Sequence, residues 1–313
     1  MMRCWIDLPS QVSEARPGAP GFQVARMLAI AMTLMFTGCA PPRPDHPVIG
    51  AKNFTEQVIL GELLAQEIEA HSQLKVERRF YLAGSYICHQ ALVAGRIDAY
   101  VEYTGTALTA ILKQPLDRDP DSVLKTVRAL YASRYQVTVA DPLGFENTFA
   151  MVIRGDDAQR LRLRTLTEAA RYTPQWKLGV GYEFEQRPDG LPGLSAAYGL
   201  KFDGSPRTMD LGLLYRALNA HQVDMIAANS TDGPIQALRL TALEDDKHYF
   251  PPYQAVPLVR EEALARWPEM RAALGALAGR ISADDMRAMN EAVDGQHRDP
   301  AEVVREFRTK IGL

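Results

Sequence analysis

The chain has 313 residues, 47% of them hydrophobic and 23% charged, with a formal net charge of −3 and a pI near 6.1. This length and composition fit a globular protein of about two domains, and the lack of a basic excess excludes the electrostatic footprint of a nucleic-acid binder. The three cysteines, Cys4, Cys39 and Cys88, are too scattered for a disulfide framework or for paired metal ligands.

At the N-terminus, Arg26 precedes the apolar run Met27 to Phe36. The run is too short to span a membrane and has the length of a secretory h-region. It ends in Phe36-Thr37-Gly38-Cys39-Ala40, which resembles a bacterial lipoprotein box, where the cysteine is lipidated and becomes the mature N-terminus. Residues 1–38 are therefore expected to be a leader, Cys39 the lipidation site, and the Pro-rich residues 39–47 a lipid-anchored tether.

Beyond the tether, Val48-Ile49-Gly50-Ala51 predicts a strand, and the periodicity from Val58 to Ala70 predicts a helix with Thr55 as its N-cap. Leu74 to Glu77 predicts a second strand, and Gly84-Ser85 opens a helix that carries Cys88 as a small buried residue and ends at Gly95. A helix is expected over Asp117 to Tyr135, then a strand over Gln136 to Val139. The turn-rich segment Asp141 to Thr148 reads as a crossing to a second lobe, in which Phe149 to Ile153 and Lys177 to Val180 are strands and Arg187 to Gly193 is a flexible loop. Near Lys247 to Tyr253 the chain is expected to cross back, and Glu261 to Leu313 to pack on the first lobe as helices. The β-α-β order with few hairpin signals gives an α/β class with mixed, mainly parallel sheets.

One motif occurs twice. Ala91-Leu92-Val93-Ala94-Gly95-Arg96-Ile97-Asp98 leads into a strand that ends at Tyr103-Thr104-Gly105-Thr106, and Ala217-Leu218-Asn219-Ala220-His221-Gln222-Val223-Asp224 leads into one that ends at Asn229-Ser230-Thr231-Asp232-Gly233. Ligands of open α/β sheets sit beyond the carboxyl ends of strands, so two such ends facing each other form a binding crevice, and two crossings make a hinge that can close on a ligand. Residues 48–145 plus 254–313 are expected to form the first lobe and 146–253 the second.

No phosphate-binding glycine loop, His-Glu-x-x-His helix, Cys-x-x-Cys pair or nucleophile elbow is present. The residues that recur at the expected strand ends and crossings are aromatic and small polar ones. An aromatic face suits a ligand cation, each contact contributing roughly 0.5–2 kcal/mol when water is excluded, and one basic side chain from each lobe, Lys52 and Arg187, can clamp a carboxylate.

Lys52-Asn53-Phe54-Thr55-Glu56-Gln57, Tyr100-Val101-Glu102-Tyr103-Thr104-Gly105-Thr106, Ser230-Thr231-Asp232-Gly233 and Asp246-Lys247-His248-Tyr249-Phe250-Pro251-Pro252-Tyr253-Gln254-Ala255-Val256-Pro257 resemble the substrate-binding proteins of ABC importers for glycine betaine, choline and related osmoprotectants. The resemblance covers Val48 to Leu313. It implies a type II periplasmic-binding-protein fold with two α/β lobes on a two-crossing hinge, delivery of the solute to an ABC permease and its ATPase, and no catalysis, cofactor or metal. It also implies an aromatic cage for a quaternary ammonium.

By position in these motifs, Tyr103, Phe149 and Tyr253 are expected as ring faces, Lys52 and Arg187 as carboxylate partners, and Gln57, Thr106 and Asn229 as polar contacts. Two positions depart from the family pattern, with Asn229 and Phe149 standing where tyrosines are usual; asparagine loses the ring face, phenylalanine only the hydroxyl. Micromolar affinity needs about 8 kcal/mol, of which three ring contacts supply roughly 2–6, so the carboxylate clamp has to carry much of the rest.

Glycine betaine, choline or carnitine is therefore expected as cargo, with ergothioneine or another zwitterionic amino-acid derivative as the alternative. An enzyme on the same scaffold, with Glu102 as base, and a sensor working through a partner protein are rival readings. The chain is expected to be an exported monomer held to the membrane only by its lipid.

Overall fold

The structure is a computed structural model that describes residues 44–313. The expected leader (residues 1–38), Cys39 and residues 39–43 of the tether lie outside the described residues. Among the described residues no helix is long and apolar enough to cross a membrane.

Two five-stranded sheets organise the chain. The first is built from β1 (Val48–Gly50), β2 (Glu77–Arg79), β3 (Ala99–Tyr103), β4 (Val137–Val139) and, from much later in the chain, β10 (Ala255–Arg260), in the order β2-β1-β3-β10-β4. The second holds β5 (Phe149–Arg154), β6 (Leu178–Val180), β7 (Arg207–Thr208), β8 (Met225–Asn229) and β9 (Leu240–Leu243), in the order β7-β6-β8-β5-β9. In each sheet four of the five strands run in the same direction, three of them as parallel neighbours. The strand that enters from the other lobe, β10 in one and β5 in the other, runs antiparallel to both its neighbours. The sheets are thus mixed but mainly parallel in strand direction, each with one reversed strand, because each lobe takes in a strand arriving from the opposite side.

The first sheet is covered on one face by α1 (Thr55–His71), which is buried nearly all round because the C-terminal helices pack outside it. These are α9 (Met270–Leu277), α10 (Ala283–Asp294) and α11 (Pro300–Lys310), while α8 (Glu261–Arg266) packs against β10. α10 opens with a reciprocal cap between Ser282 and Asp285, and α11 with Asp299 accepting from the amides of Ala301 and Glu302 ahead of Pro300. The opposite face carries α2 (Ser85–Val93) and α3 (Pro120–Tyr135), the latter capped by Asp119 and stopped by Gln136 at φ 55°. Cys88 is buried here, and burial pushes its thiol up to about 12.

In the second lobe the apolar residues of β5, β6 and β8 split between two cores. One lies under α6 (Leu191–Tyr198) and the other under α7 (Leu211–Asn219). The two crossings run side by side, with Glu146 bridged antiparallel to Gln254 and the amide of Asn147 donating to the Tyr253 carbonyl at 3.1 Å.

Three local expectations are corrected. Thr55 does not cap α1; Phe54 occupies the N-cap, and the Thr55 hydroxyl donates instead to Asp294 at the end of α10, 2.5 Å away. The second strand lies at Glu77–Arg79 rather than Leu74 to Glu77, as an edge whose Arg78 reaches back to Glu62 and Glu69 on α1. Leu191 to Gly193 begin α6 instead of continuing a loop, because Pro192 sits in the first turn, where its missing N–H has no partner to lose.

The repeated motif is a repeated structure. Gly95 and His221 both adopt the left-handed conformation, at φ 66° and 54°, and turn a helix end toward a strand. Two residues of chain then separate each from its aspartate. Asp98 accepts from the amide of Val48, and Asp224 from that of Lys177, each at 2.9 Å. The two carboxylates thereby tie β3 and β8 to the segment that opens the neighbouring parallel strand.

Candidate functional site

The carboxyl ends of β3 and β8, Tyr103 and Asn229, come to the same cleft. Tyr103 is opposite Ala255 in β10, and Asn229 opposite Phe149 in β5. A cavity of about 280 Å³ lies between the lobes there, a size suited to a small solute. Seven of the eight expected site residues line it: Lys52, Tyr103, Thr106, Phe149, Arg187, Asn229 and Tyr253. Gln57 does not. Its Nε2 donates to the Tyr103 hydroxyl at 3.1 Å from behind the ring, so it orients a wall residue rather than meeting a ligand. Tyr182 also lines the cavity, as do Phe54, Tyr86, Glu183 and Phe184, which the sequence did not point to.

The basic residues are not free point charges. Lys52, buried beside β1, forms an ion pair with the fully buried Glu102 of β3 and donates to Ser85 Oγ at 3.0 Å. Its ammonium lies 4.7 Å from the centre of the Tyr103 ring. Glu102 also accepts from the Tyr103 amide at 2.8 Å, so the residue considered as a catalytic base is a structural counter-ion.

Arg187 follows α5 (Tyr182–Gln186) and is buried rather than held in a flexible loop. Its Nε and Nη2 donate to the two oxygens of Asp189 at 2.9 and 2.5 Å, and its Nη1 donates to Thr106 Oγ1 on the other lobe at 3.1 Å. The Tyr253 hydroxyl donates to Asp189 at 2.7 Å. Burial raises the Asp189 carboxyl, but the Arg187 charge and these hydrogen bonds outweigh it and hold the group below the usual range. The Arg187 guanidinium stacks 4.9 Å from the Phe149 ring centre and 5.9 Å from that of Tyr253, so one face of Phe149 is already turned to a protein cation. Tyr253 reaches the cavity wall because Gly105 lies beneath it; a β-carbon there would stand 2.7 Å from the Tyr253 ring.

Behind the wall, at the hinge, lies a polar hub that sequence reasoning missed. Glu56 of α1 is buried and accepts from the Tyr103 hydroxyl at 2.5 Å, from Asn147 in the first crossing at 2.8 Å, from Asn290 of α10 at 3.0 Å and from Thr231 of the second lobe. Burial raises its carboxyl above the usual range despite these donors. One residue on, Asp232 accepts from the Tyr215 hydroxyl at 2.8 Å and from the amide of Asn229 at 3.0 Å. Burial pushes its carboxyl up to about 7, with the nearby Glu56 charge adding to the shift. Both strand-end residues of the cavity, Tyr103 and Asn229, are therefore held by carboxylates, the buried Glu56 and the half-buried Asp232. Glu56 lies within the Lys52 to Gln57 motif, and that was the only sequence signal for it. Among the described residues no cluster of metal-ligating side chains occurs.

Residues 47–310 match the family described as the substrate-binding domain of the ABC-type glycine betaine transport system. The chain belongs to this family. The carnitine transport binding protein OpuCC of Listeria monocytogenes is 33% identical over 291 residues, covering 91% of this chain and 94% of that protein. The ergothioneine transport permease/ergothioneine binding protein EgtU of Helicobacter pylori is 32% identical over 288 residues, covering 92% of this chain; the chain spans 51% of its length. A crystal structure of a glycine betaine/carnitine/choline ABC transporter superposes with a TM-score of 0.70 at 33% identity, covering 84% of this chain and 98% of that one. This family member is accordingly the extracytoplasmic substrate-binding component of an ABC importer, with the type II two-lobed fold. Its relatives are transport binding proteins rather than enzymes.

Proposed function

We propose that the protein captures a small quaternary-ammonium solute, such as glycine betaine, carnitine or choline, between its lobes and presents it to an ABC permease and its ATPase without chemical change. The observation that carries this reading is the interlobe cavity itself, walled by the rings of Tyr103, Phe149 and Tyr253 with Lys52 and Arg187 beside them. Ring faces favour a methylated cation, whose charge is spread over a surface too apolar to be well hydrated.

A guanidinium has five N–H donors, and three of Arg187's are committed to Asp189 and Thr106. The remaining two, with Thr106 and Asn229, are the groups offered to a ligand carboxylate. Ergothioneine is the second reading, favoured by the likeness to EgtU and by the amide of Asn229, which can hydrogen-bond a polar group where a ring would only stack. In either case we place the protein outside the cytoplasm as a monomer, tethered by lipid on Cys39, with no catalysis and no cofactor.

Titration calorimetry of the purified protein with glycine betaine, carnitine, choline, ergothioneine and unmethylated glycine tests the reading. Binding of one or more methylated cations with glycine silent is the expected outcome. Equal binding of glycine, or no binding of any methylated compound, overturns it.

A further inference from the structure

Helix α2 begins in an unusual way. Its N-cap is Gly84, which has no side chain to accept from the first-turn amides. The missing acceptor comes from the other lobe: Oε1 of Glu183, in α5, lies 2.6 Å from the Ser85 amide. That amide is the one hydrogen-bond partner of the Glu183 carboxylate among the described residues, and its charge faces the positive end of the helix.

The fit depends on glycine. A β-carbon on residue 84 would stand 2.1 Å from Glu183 Oε1 and 2.8 Å from its Cδ. The same serine receives Lys52 through its hydroxyl, and Lys52 is paired to Glu102. A continuous polar chain therefore runs from the second lobe, through Ser85, to the basic side chain at the cavity wall.

We propose that Glu183 is the closing latch of the cleft, a positioning residue that caps α2 from across the gap and so lengthens the residence of a bound solute. Glu183 and Ser85 belong to different lobes, so the contact exists only when the lobes are together. Whatever it contributes is added to the closed state and subtracted from the escape rate. The capture rate, which is set by the open form, is left alone. The inference rests on the solute-capture reading for its biological meaning, though not for its test.

The test compares wild type with Glu183→Ala and, from the opposite lobe, Gly84→Ala, which keeps the carboxylate but denies it the seat. Stopped-flow binding of carnitine and of glycine betaine gives the two rate constants. Single-molecule energy transfer between one dye on each lobe gives the closed population of the unliganded protein. Losing a charged N-terminal cap corresponds to about a 3- to 10-fold change in an equilibrium. Both variants are expected to dissociate solute about 3- to 10-fold faster with association within about 2-fold of wild type, and to lose closed population in similar proportion.

Unchanged dissociation and unchanged closed population in both variants overturn the latch, as does a loss confined to association. If wild type binds neither solute but the closed population still falls in both variants, the latch stands and the cargo reading fails.

Discussion

The buried pair Arg187–Asp189 can be tested by removing its members one at a time and together. Asp189 is 0% exposed and Arg187 7%. The carboxylate accepts two hydrogen bonds from the guanidinium and a third from Tyr253. Asp189→Asn keeps an acceptor for Tyr253 but removes the counter-charge, leaving a guanidinium uncompensated in a dry setting, which costs about 3–5 kcal/mol. That is a large part of the roughly 5–15 kcal/mol that holds a typical domain together.

Arg187→Met is expected to be similarly damaging, since it leaves the carboxylate unpaired. The double variant removes both charges and so leaves no uncompensated buried ion, and it is expected to lie within about 2 kcal/mol of wild type. The assay is urea unfolding of the unliganded protein followed by circular dichroism, with the slope compared across variants. The expected coupling energy is at least about 4 kcal/mol. Single variants within about 1 kcal/mol of wild type, or a double variant equal to the sum of the singles, would refute the account of this pair.

Other outcomes follow from the same geometry. Phe149→Leu, which keeps an apolar wall and loses the ring, is expected to weaken binding of a methylated cation about 2- to 30-fold by calorimetry, the equivalent of one cation–π contact. The Asp232 carboxyl is raised from 3.8 to about 7 in the folded chain. The folded form therefore holds this proton more tightly than the unfolded one, so the stabilisation is complete below about pH 4 and is lost as pH rises through about 7. Asp232→Asn is expected to flatten that part of the profile of melting temperature against pH, and an unchanged slope between about pH 4 and 7 would count against it. Cys88, buried with its thiol near 12, is expected to resist iodoacetamide at pH 8 in the native protein and to react in urea, read by mass spectrometry of its peptide.

The sequence carried the architecture through its repeat. Two copies of one helix-turn-strand pattern, each ending beside small hydroxyl residues, put two strand ends in one cleft, and the fold places Tyr103 and Asn229 there. What stayed hidden were contacts between residues remote in the chain. Glu56 in a first helical turn reads as a solvated charge, and only the arrival of Thr231, Asn147 and Asn290 makes it a hub. Thr55 has the chemistry of a cap, but Asp294 from the far C-terminal region draws its hydroxyl away. Asp189 stands two residues from Arg187, close enough in sequence to have suggested a pair, yet a Gly- and Pro-rich stretch reads as a loop until its burial is seen. Edge strand β2, made of charged residues, has none of the alternation by which strands are recognised.

The internal pairing of the two cavity cations has a consequence for the brine in which an osmoprotectant is wanted most. Dissolved salt shortens the reach of an exposed charge from about 8 Å at physiological strength to about 3 Å at 1 M. A pocket that attracted solute by bare surface charge would therefore fade as osmotic stress rose. Lys52 and Arg187 are neutralised in advance by Glu102 and Asp189, and all four side chains are buried. What remains for recognition under the proposed function is short-range contact with rings and N–H groups, so solute binding is expected to depend little on salt concentration.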